Sequence, residues 1–169
     1  MNNNEPRIVQ LFTGRGKGKT YVAMGSIMRA SGYGLKTCVI FFVNGQYWSS
    51  KYGSLTALAN IDCYIYGESD LEWPQDVGVR EIEWGRQALV TANRAVASGK
   101  YDLVVLDDIN KAIAWNMIDV ESVLQLIRQK PANVELILTG EGAPPALIAM
   151  ADLVTEIEDG KKNLAEQVI

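Results

Sequence analysis

A glycine-rich turn between an apolar segment and a helix-forming segment constrains this sequence more than any other feature. The turn reads Thr13-Gly-Arg-Gly-Lys-Gly-Lys-Thr20; residues 8–12 before it are apolar or neutral, and residues 21–30 after it favour a helix. A strand, a glycine-rich loop and a helix that opens on Lys-Thr form the pattern with which proteins hold nucleoside triphosphates. The backbone N–H groups of such a loop and the partial positive charge of the helix N-terminus attract phosphate oxygens.

Individual positions of this glycine loop have predicted roles. Lys19 would contact the outer phosphates, and the hydroxyl of Thr20 would coordinate Mg²⁺. Thr13 replaces the first glycine of the usual motif, so Gly14 and Gly16 supply the flexibility. The alternative, a turn that only connects a strand to a helix, is disfavoured by the flanking segments. The predicted nucleotide-contacting residues of the loop are Thr13, Gly14, Arg15, Gly16, Lys17, Gly18, Lys19 and Thr20.

The composition predicts one folded domain that binds a compact anion. The chain has 169 residues, of which 48% are hydrophobic, and a net charge of −4. This length and apolar fraction predict a single nucleotide-binding domain over residues 1–169. The acidic balance argues against a broad nucleic-acid-binding face, whereas Arg15, Lys17 and Lys19 form a local positive cluster.

Neither end of the chain nor its apolar runs suggest a secreted or membrane protein. The start, residues 1–6, is polar, and no apolar run reaches membrane-spanning length. Cys38 and Cys63 lie in apolar runs and are predicted to be buried free thiols. We therefore expect a cytoplasmic protein with no membrane partner.

The chain contains no histidine. This excludes a Ser-His-Asp or Cys-His nucleophile and any histidine-ligated metal site. Proton transfer would fall to carboxylates, lysines or water. The composition therefore favours chemistry in which the protein positions its substrates and neutralises charge.

Short apolar runs alternate with helix-forming segments along the chain. Such runs are typical of strands covered on both faces, and their βαβα order predicts a three-layer α/β fold with a mainly parallel central sheet of about six strands. Ligands of such sheets bind beyond the carboxyl ends of the strands. Residues 1–6 and 159–169 are expected to be poorly ordered. The predicted strands are 8–12, 37–43, 61–66, 103–106, 135–139 and 153–157, and the predicted helices are 19–31, 79–98, 120–128 and 145–150.

Two acids follow the apolar run 103–106. P-loop proteins place an aspartate at such a strand end to hold Mg²⁺. Asp107 is the predicted metal partner because it comes first after the strand, and Asp108 would point into the site as a second acid. A solvated turn at the strand end is the alternative. Thr139-Gly140 ends the next apolar run. It is equally well interpreted as a turn that faces the phosphates and as an ordinary turn with no role in binding.

A family pattern extends over most of the chain. The glycine loop carries threonine at its first position, and Val104-Val-Leu-Asp-Asp-Ile-Asn110 forms an acidic strand end. Together with three further segments in the same order and spacing, they resemble the corrinoid adenosyltransferases of the ATP:cob(I)alamin type, in which the two acids are usually Asp-Glu. The resemblance covers about residues 7–157. Its segments are 12–20, 29–36, 104–110, 120–131 and 138–156.

The resemblance implies a P-loop fold of the RecA-like type and an unusual reaction for it. In this family a reduced cobalt(I) corrinoid attacks the 5′ carbon of ATP, triphosphate leaves whole, and adenosylcobalamin or adenosylcobinamide forms. ATP and the corrinoid would be the substrates, with Lys19 and Asp108 as catalytic residues. Thr20 and Asp107 would hold Mg²⁺. Arg29 matches a family arginine near the nucleotide, and the resemblance also implies a homodimer and a reductase as electron donor.

The corrinoid side depends on Leu71-Glu72-Trp73, which resembles a Phe-x-Trp segment that packs against the corrin face in the family. Trp73 is retained and is assigned to corrinoid binding, with ordinary packing as the alternative. Segments 44–60 and 67–78 both follow strands and are expected on the ligand side. The other departures are Asn44-Gly45 for Lys-Gly, Glu141 for an arginine, and the absence of the family's long N-terminal helix, its Lys-His pair and its glycine-rich tail.

Two other functions stay open at this point. One is a P-loop ATPase or kinase that breaks a phosphate bond. The other is a non-catalytic relative that binds ATP or a corrinoid, an interpretation that the altered corrinoid segment favours. The product separates the three functions, because only the transferase releases inorganic triphosphate.

Overall fold

The structure is a computed structural model that describes residues 7–45, 53–67, 71 and 73–161. Its strands are β1 (Val9–Thr13), β2 (Thr37–Phe41), β3 (Ile61–Ile65), β4 (Leu103–Asp107), β5 (Glu135–Thr139) and β6 (Leu153–Glu156). Its helices are α1 (Lys19–Gly32), α2 (Val79–Ala97), α3 (Ile109–Ala114), α4 (Val120–Arg128) and α5 (Pro145–Met150). Short 3₁₀ helices span Gly53–Ala57 and Pro74–Asp76.

The strands form one six-stranded sheet in the order β3-β2-β4-β5-β1-β6, and all of its neighbours are parallel. The predicted α/β class and parallel sheet are therefore confirmed. Strand β5 lies between β4 and β1, with Phe12 paired to Thr139 and Leu106 paired to Leu138. The carboxyl ends of these three strands consequently meet side by side at one edge of the sheet.

Helices cover both faces of the sheet and explain the continuous apolar runs. On one face, α1 packs Ala23 and Ile27 against Val105 and its neighbours. On the other face, α2 to α5 pack against residues such as Leu106 and Leu138. A strand buried on both faces needs apolar side chains at successive positions, which is why β4 reads Leu-Val-Val-Leu before its acid.

The element boundaries differ from the sequence predictions at several ends. Strand β2 ends at Phe41 rather than at residue 43, and the N–H of Phe42 instead donates to the Asp107 carbonyl oxygen at 3.0 Å. Helix α3 was not predicted, because six residues are too few for a clear helical period. Residues 159–161 are described, while 1–6 and 162–169 lie outside the described residues, so the poor order expected of both ends stays a prediction.

Two further expectations concern membranes and cysteines. Among the described residues, no helix combines the length and the apolar character needed to cross a bilayer. Cys38 is a buried free thiol, as predicted, and burial raises its pKa to about 12. Cys63 is also free but only half-buried.

Candidate functional site

The glycine loop joins the end of β1 to the first turn of α1. Gly14 and Gly18 have φ angles of 95° and 124°, a backbone conformation that residues other than glycine rarely adopt. Helix α1 begins directly after Gly18, so Lys19 and Thr20 lie in its first turn. The first N–H groups of a helix cannot bond within the helix itself, which together with the helix dipole favours an anion at this end of α1.

The segment that follows β6 packs tightly against the glycine loop. A Cβ atom added to Gly14 would lie 2.3 Å from the carbonyl oxygen of Ile157, and one added to Gly16 would lie 2.7 Å from the backbone of Glu158. The Gly16 N–H donates to the Ile157 carbonyl oxygen at 2.8 Å, and the Ile157 N–H donates to the Thr13 carbonyl oxygen at 2.9 Å. The close approach therefore requires glycine at both positions.

Lys19 lies across the loop rather than in open solvent. Its ammonium group donates to the carbonyl oxygens of Gly14 and Gly16, at 2.7 Å in each case. The side chains of Arg15 and Lys17 are exposed on the outer side of the loop. The structure therefore brings the predicted residues 13–20 together as one curved, positively charged segment.

Asp107 is fully enclosed at the end of β4 and joins two neighbouring elements. Its carboxylate accepts the Thr20 hydroxyl at 3.3 Å and the Thr139 hydroxyl at 2.7 Å. The Thr139 hydroxyl oxygen in turn accepts the N–H of Asp108 at 2.9 Å. The first turn of α1 and the ends of β4 and β5 are thus connected by three consecutive hydrogen bonds.

Burial raises the pKa of both acids. The pKa of Asp107 rises to about 7, mainly through loss of solvent and then through the neighbouring charge of Asp108, while Thr139, Thr20 and Lys19 oppose the rise. The pKa of Asp108 is also raised, first by burial. Two carboxyl groups that are costly to ionise in this environment favour a cation beside them.

Mg²⁺ fits the residues at this position. The Thr20 hydroxyl and the Asp107 carboxylate are adjacent oxygen donors, of the hard type that Mg²⁺ prefers. No group of three or more acidic, cysteine or histidine side chains with metal-binding geometry occurs in the described part of the chain. A protein site with so few donors suits an ion that takes its remaining ligands from phosphate and water.

Sequence reasoning missed Asn110 and left Thr139 undecided. Asn110 is completely buried in α3, and its amide nitrogen donates to the carbonyl oxygens of Phe12 at 3.4 Å and Gly140 at 3.0 Å. It therefore ties the end of β1 to the end of β5. The available signal was an amide side chain two residues after Asp108, next to the apolar Ile109.

Two predicted site residues lie away from the loop. Arg29 is in the last turn of α1, about 13 Å along the helix from Thr20 at 1.5 Å per residue. Its guanidinium lies 3.6 Å from the Glu135 carboxylate at the start of β5, on the opposite edge of the sheet. This placement gives no support to the nucleotide role expected of Arg29.

Trp73 lies in the connection between β3 and α2. The residue is 59% exposed, and its backbone N–H donates to the Asp76 carboxylate at 3.0 Å. Leu71, two residues earlier, is buried and exchanges two hydrogen bonds with the side-chain amide of Asn44, at 3.3 and 3.2 Å. Residue 72 and residues 46–52 and 68–70, which fall in the two segments expected on the ligand side, lie outside the described residues.

The parallel sheet, the glycine loop and the acidic end of β4 together define a P-loop nucleotide-binding protein. The family model described as ATP:corrinoid adenosyltransferase BtuR/CobO/CobP matches residues 5–169. The chain therefore belongs to this family.

Curated relatives agree with this assignment, and a solved structure shares the fold. The corrinoid adenosyltransferase of Escherichia coli K12 is 28% identical over 158 residues, which cover 94% of this chain and 80% of the relative. The corrinoid adenosyltransferase of Pseudomonas aeruginosa is 30% identical over 155 residues, covering 91% and 76%. A KaiC-like protein of Pyrococcus horikoshii shares the fold, with a TM-score of 0.60 and 18% identity over 94% of this chain and 75% of that one.

Proposed function

We propose that this chain transfers the 5′-deoxyadenosyl group of ATP to a cobalt(I) corrinoid and releases inorganic triphosphate. The family assignment gives the reaction class. The observation that supports it at the level of residues is the hydrogen-bonded set of Thr20, Asp107 and Thr139 next to the loop spanned by Lys19, which would form an anchor for an intact triphosphate. The product would be adenosylcobalamin or adenosylcobinamide.

The proposed chemistry needs little proton transfer. Cobalt(I) donates an electron pair to the 5′ carbon, the bond from that carbon to the triphosphate oxygen breaks, and its electrons leave with the triphosphate. The leaving group gains charge as the bond breaks, so a fixed positive charge beside it lowers the barrier. Lys19 and the N–H groups at the start of α1 would supply that stabilisation, and no histidine is needed.

Asp107 and Asp108 would have different tasks. Asp107 and Thr20 would hold Mg²⁺, which supplies positive charge to the phosphate groups when it is bound. Asp108 directly precedes α3 as its N-cap residue and has a left-handed backbone, φ 58° and ψ 22°, which is uncommon for a residue other than glycine. This turn directs the backbone N–H of Asp108 to Thr139 and would set the second carboxylate near the phosphates.

The corrinoid would lie at the connection that follows β3. The exposed ring of Trp73 offers an apolar surface to a corrin face, and the hydrogen bonds between Asn44 and Leu71 fix the chain two residues before it. An apolar face next to cobalt disfavours a further axial ligand and so eases reduction. A homodimer, a reductase as electron donor and a cytoplasmic location are parts of the same proposal.

Product analysis tests this function directly. The protein is mixed anaerobically with ATP, Mg²⁺ and chemically reduced cobalamin or cobinamide, and the cobalt–carbon absorption is followed while nucleotide products are separated. We expect adenosylcorrinoid and inorganic triphosphate in equal amounts. Lys19→Ala protein prepared in the same way controls for contaminating enzymes. ADP with phosphate as the products would instead identify an ATPase or kinase, and ATP binding without turnover would identify a non-catalytic relative.

A further inference from the structure

Three consecutive N–H groups of the glycine loop donate to the segment that follows β6. The Arg15 N–H donates to the Glu158 carboxylate at 3.0 Å, and the Lys17 N–H donates to the Asp159 carboxylate at 3.0 Å. Between them, the Gly16 N–H donates to the carbonyl oxygen of Ile157 at 2.8 Å. We call residues 157–159 the acidic strap. It covers the part of the loop that precedes α1.

The two carboxylates of the acidic strap occupy positions that suit phosphate oxygens. Backbone N–H groups in a glycine-rich turn bind anions, and a hydrogen bond to a charged oxygen is stronger than one to a neutral oxygen. Glu158 and Asp159 place two negative charges beside the three positive charges of Arg15, Lys17 and Lys19. The loop's attraction for a further anion is correspondingly reduced.

The fit between strap and loop is too close to be incidental. Gly14 and Gly16 are the two loop positions at which a Cβ atom would collide with the backbone of residues 157 and 158. Both glycines therefore make room for the strap. A cleft of about 380 Å³ lies beside this contact and is lined by Arg15, Glu158, Asp159, Gly160 and Lys161.

We propose that Glu158 and Asp159 act as internal anions that compete with the phosphates of the nucleotide for the glycine loop. They thereby determine how tightly the site binds ATP and how strongly it prefers three phosphate groups to one. A triphosphate carries enough charge to displace both carboxylates, whereas a monophosphate does not. This inference rests on the proposed function only in taking triphosphate as the ligand of the loop.

Calorimetric binding without any corrinoid tests the competition. ATP, inorganic triphosphate and AMP are each titrated into the wild-type chain and into the double variant Glu158→Gln/Asp159→Asn. Neutral amides bind the loop N–H groups more weakly than carboxylates do, so the Kd for ATP and for triphosphate should fall about tenfold. The Kd for AMP should fall by a larger factor than the Kd for ATP, so that the preference for three phosphate groups over one narrows.

Glu156→Gln is the matched control. It removes one negative charge from exposed β6, one residue before the strap, by the same Glu→Gln exchange, and its expected change in Kd is less than twofold. An unchanged or higher Kd in the double variant overturns the proposal, and so does an equal fall in the Kd of the control variant. A strap that only braces the loop would give a lower Tm together with weaker binding in the double variant.

A second measurement follows the N–H groups themselves. In nitrogen-15 spectra of the intact chain, the amide resonances of Arg15 and Lys17 should move when triphosphate is added and should also move in the double variant. The proposal is overturned if these two resonances do not shift when triphosphate is added. It is also overturned if neither the wild-type chain nor the double variant binds triphosphate. Triphosphate binding without adenosyl transfer would instead contradict the proposed function and would not affect the proposal about the acidic strap.

Discussion

The glycine-loop side of the candidate site, here the phosphate end, and the Trp73 side, the proposed corrinoid end, are built in different ways. At the phosphate end, Thr20, Asp107 and Thr139 are all buried and bonded to one another from three different elements. At the proposed corrinoid end, Trp73 is mostly exposed, and its segment is held by hydrogen bonds of Asn44 with Leu71 and of Asp76 with Trp73. The sheet fixes the first end, whereas connections between elements form the second.

This difference indicates which part of the candidate site can change its substrate specificity without loss of the fold. The ends of β4, β5 and β1 are held by strand register, so a substitution there alters packing as well as binding. A connection on the surface tolerates exchange of side chains more readily. The substitutions that depart from the family at the corrinoid end therefore leave the phosphate anchor intact.

The largest expected effect is at the phosphate end, for Lys19→Ala. Removing the ammonium group that lies over the loop should lower kcat/KM for ATP by roughly 100-fold or more, because the leaving triphosphate loses its nearest positive charge. Steady-state formation of adenosylcorrinoid measures this loss. Lys36→Ala, an exposed lysine just before β2, is the control and should retain its activity. Comparable losses in both variants would contradict the role of Lys19.

Thr139→Val tests whether the buried hydrogen bonds around Asp107 contribute to both stability and turnover. Valine keeps the shape but leaves the Asp107 carboxylate and the Asp108 N–H each without one partner. The cost should be about 1–3 kcal/mol in the free energy of unfolding, with a drop of roughly tenfold in kcat. Denaturant unfolding and turnover measure the two. Thr139→Ser retains the hydroxyl and should restore most of both, and a serine variant as impaired as valine would argue for packing alone.

The phosphate end was also the part that the sequence predicted best. Apolar runs identified all six strands, including the exposed β6, and the glycine loop and the acids at 107 and 108 have signatures set by local chemistry. Asn110 was not predicted as a site residue because a single amide side chain forms no spacing pattern that identifies a motif. The acidic strap escaped because its contacts join residues 142 and 143 positions apart, so local composition indicated only a polar tail.

Trp73→Ala sharpens the comparison from the corrinoid end. Because the residue is 59% exposed, removal of its ring should leave Tm nearly unchanged. Loss of an apolar surface of this size should raise the KM for the corrinoid by several fold to about tenfold, with no change in the Kd for ATP. Kinetics with varied corrinoid and calorimetry with ATP separate the two effects. Tyr33→Ala, an exposed aromatic after α1, is the control. A Trp73 variant with normal corrinoid kinetics would place the corrin elsewhere.

The smallest expected effect belongs to Arg29, and it tests the boundary of the phosphate end. Its guanidinium is half-exposed and pairs with Glu135 at the opposite edge of the sheet, so Arg29→Ala should lose at most about 1 kcal/mol of stability. The KM for ATP should change less than twofold, because the fixed direction of α1 keeps Arg29 away from the loop. Glu135→Gln should give a similar small change in Tm through the same pair. A tenfold rise in the KM for ATP in Arg29→Ala alone would mean that the nucleotide extends along α1 to its last turn, and the phosphate end would then be larger than the buried cluster.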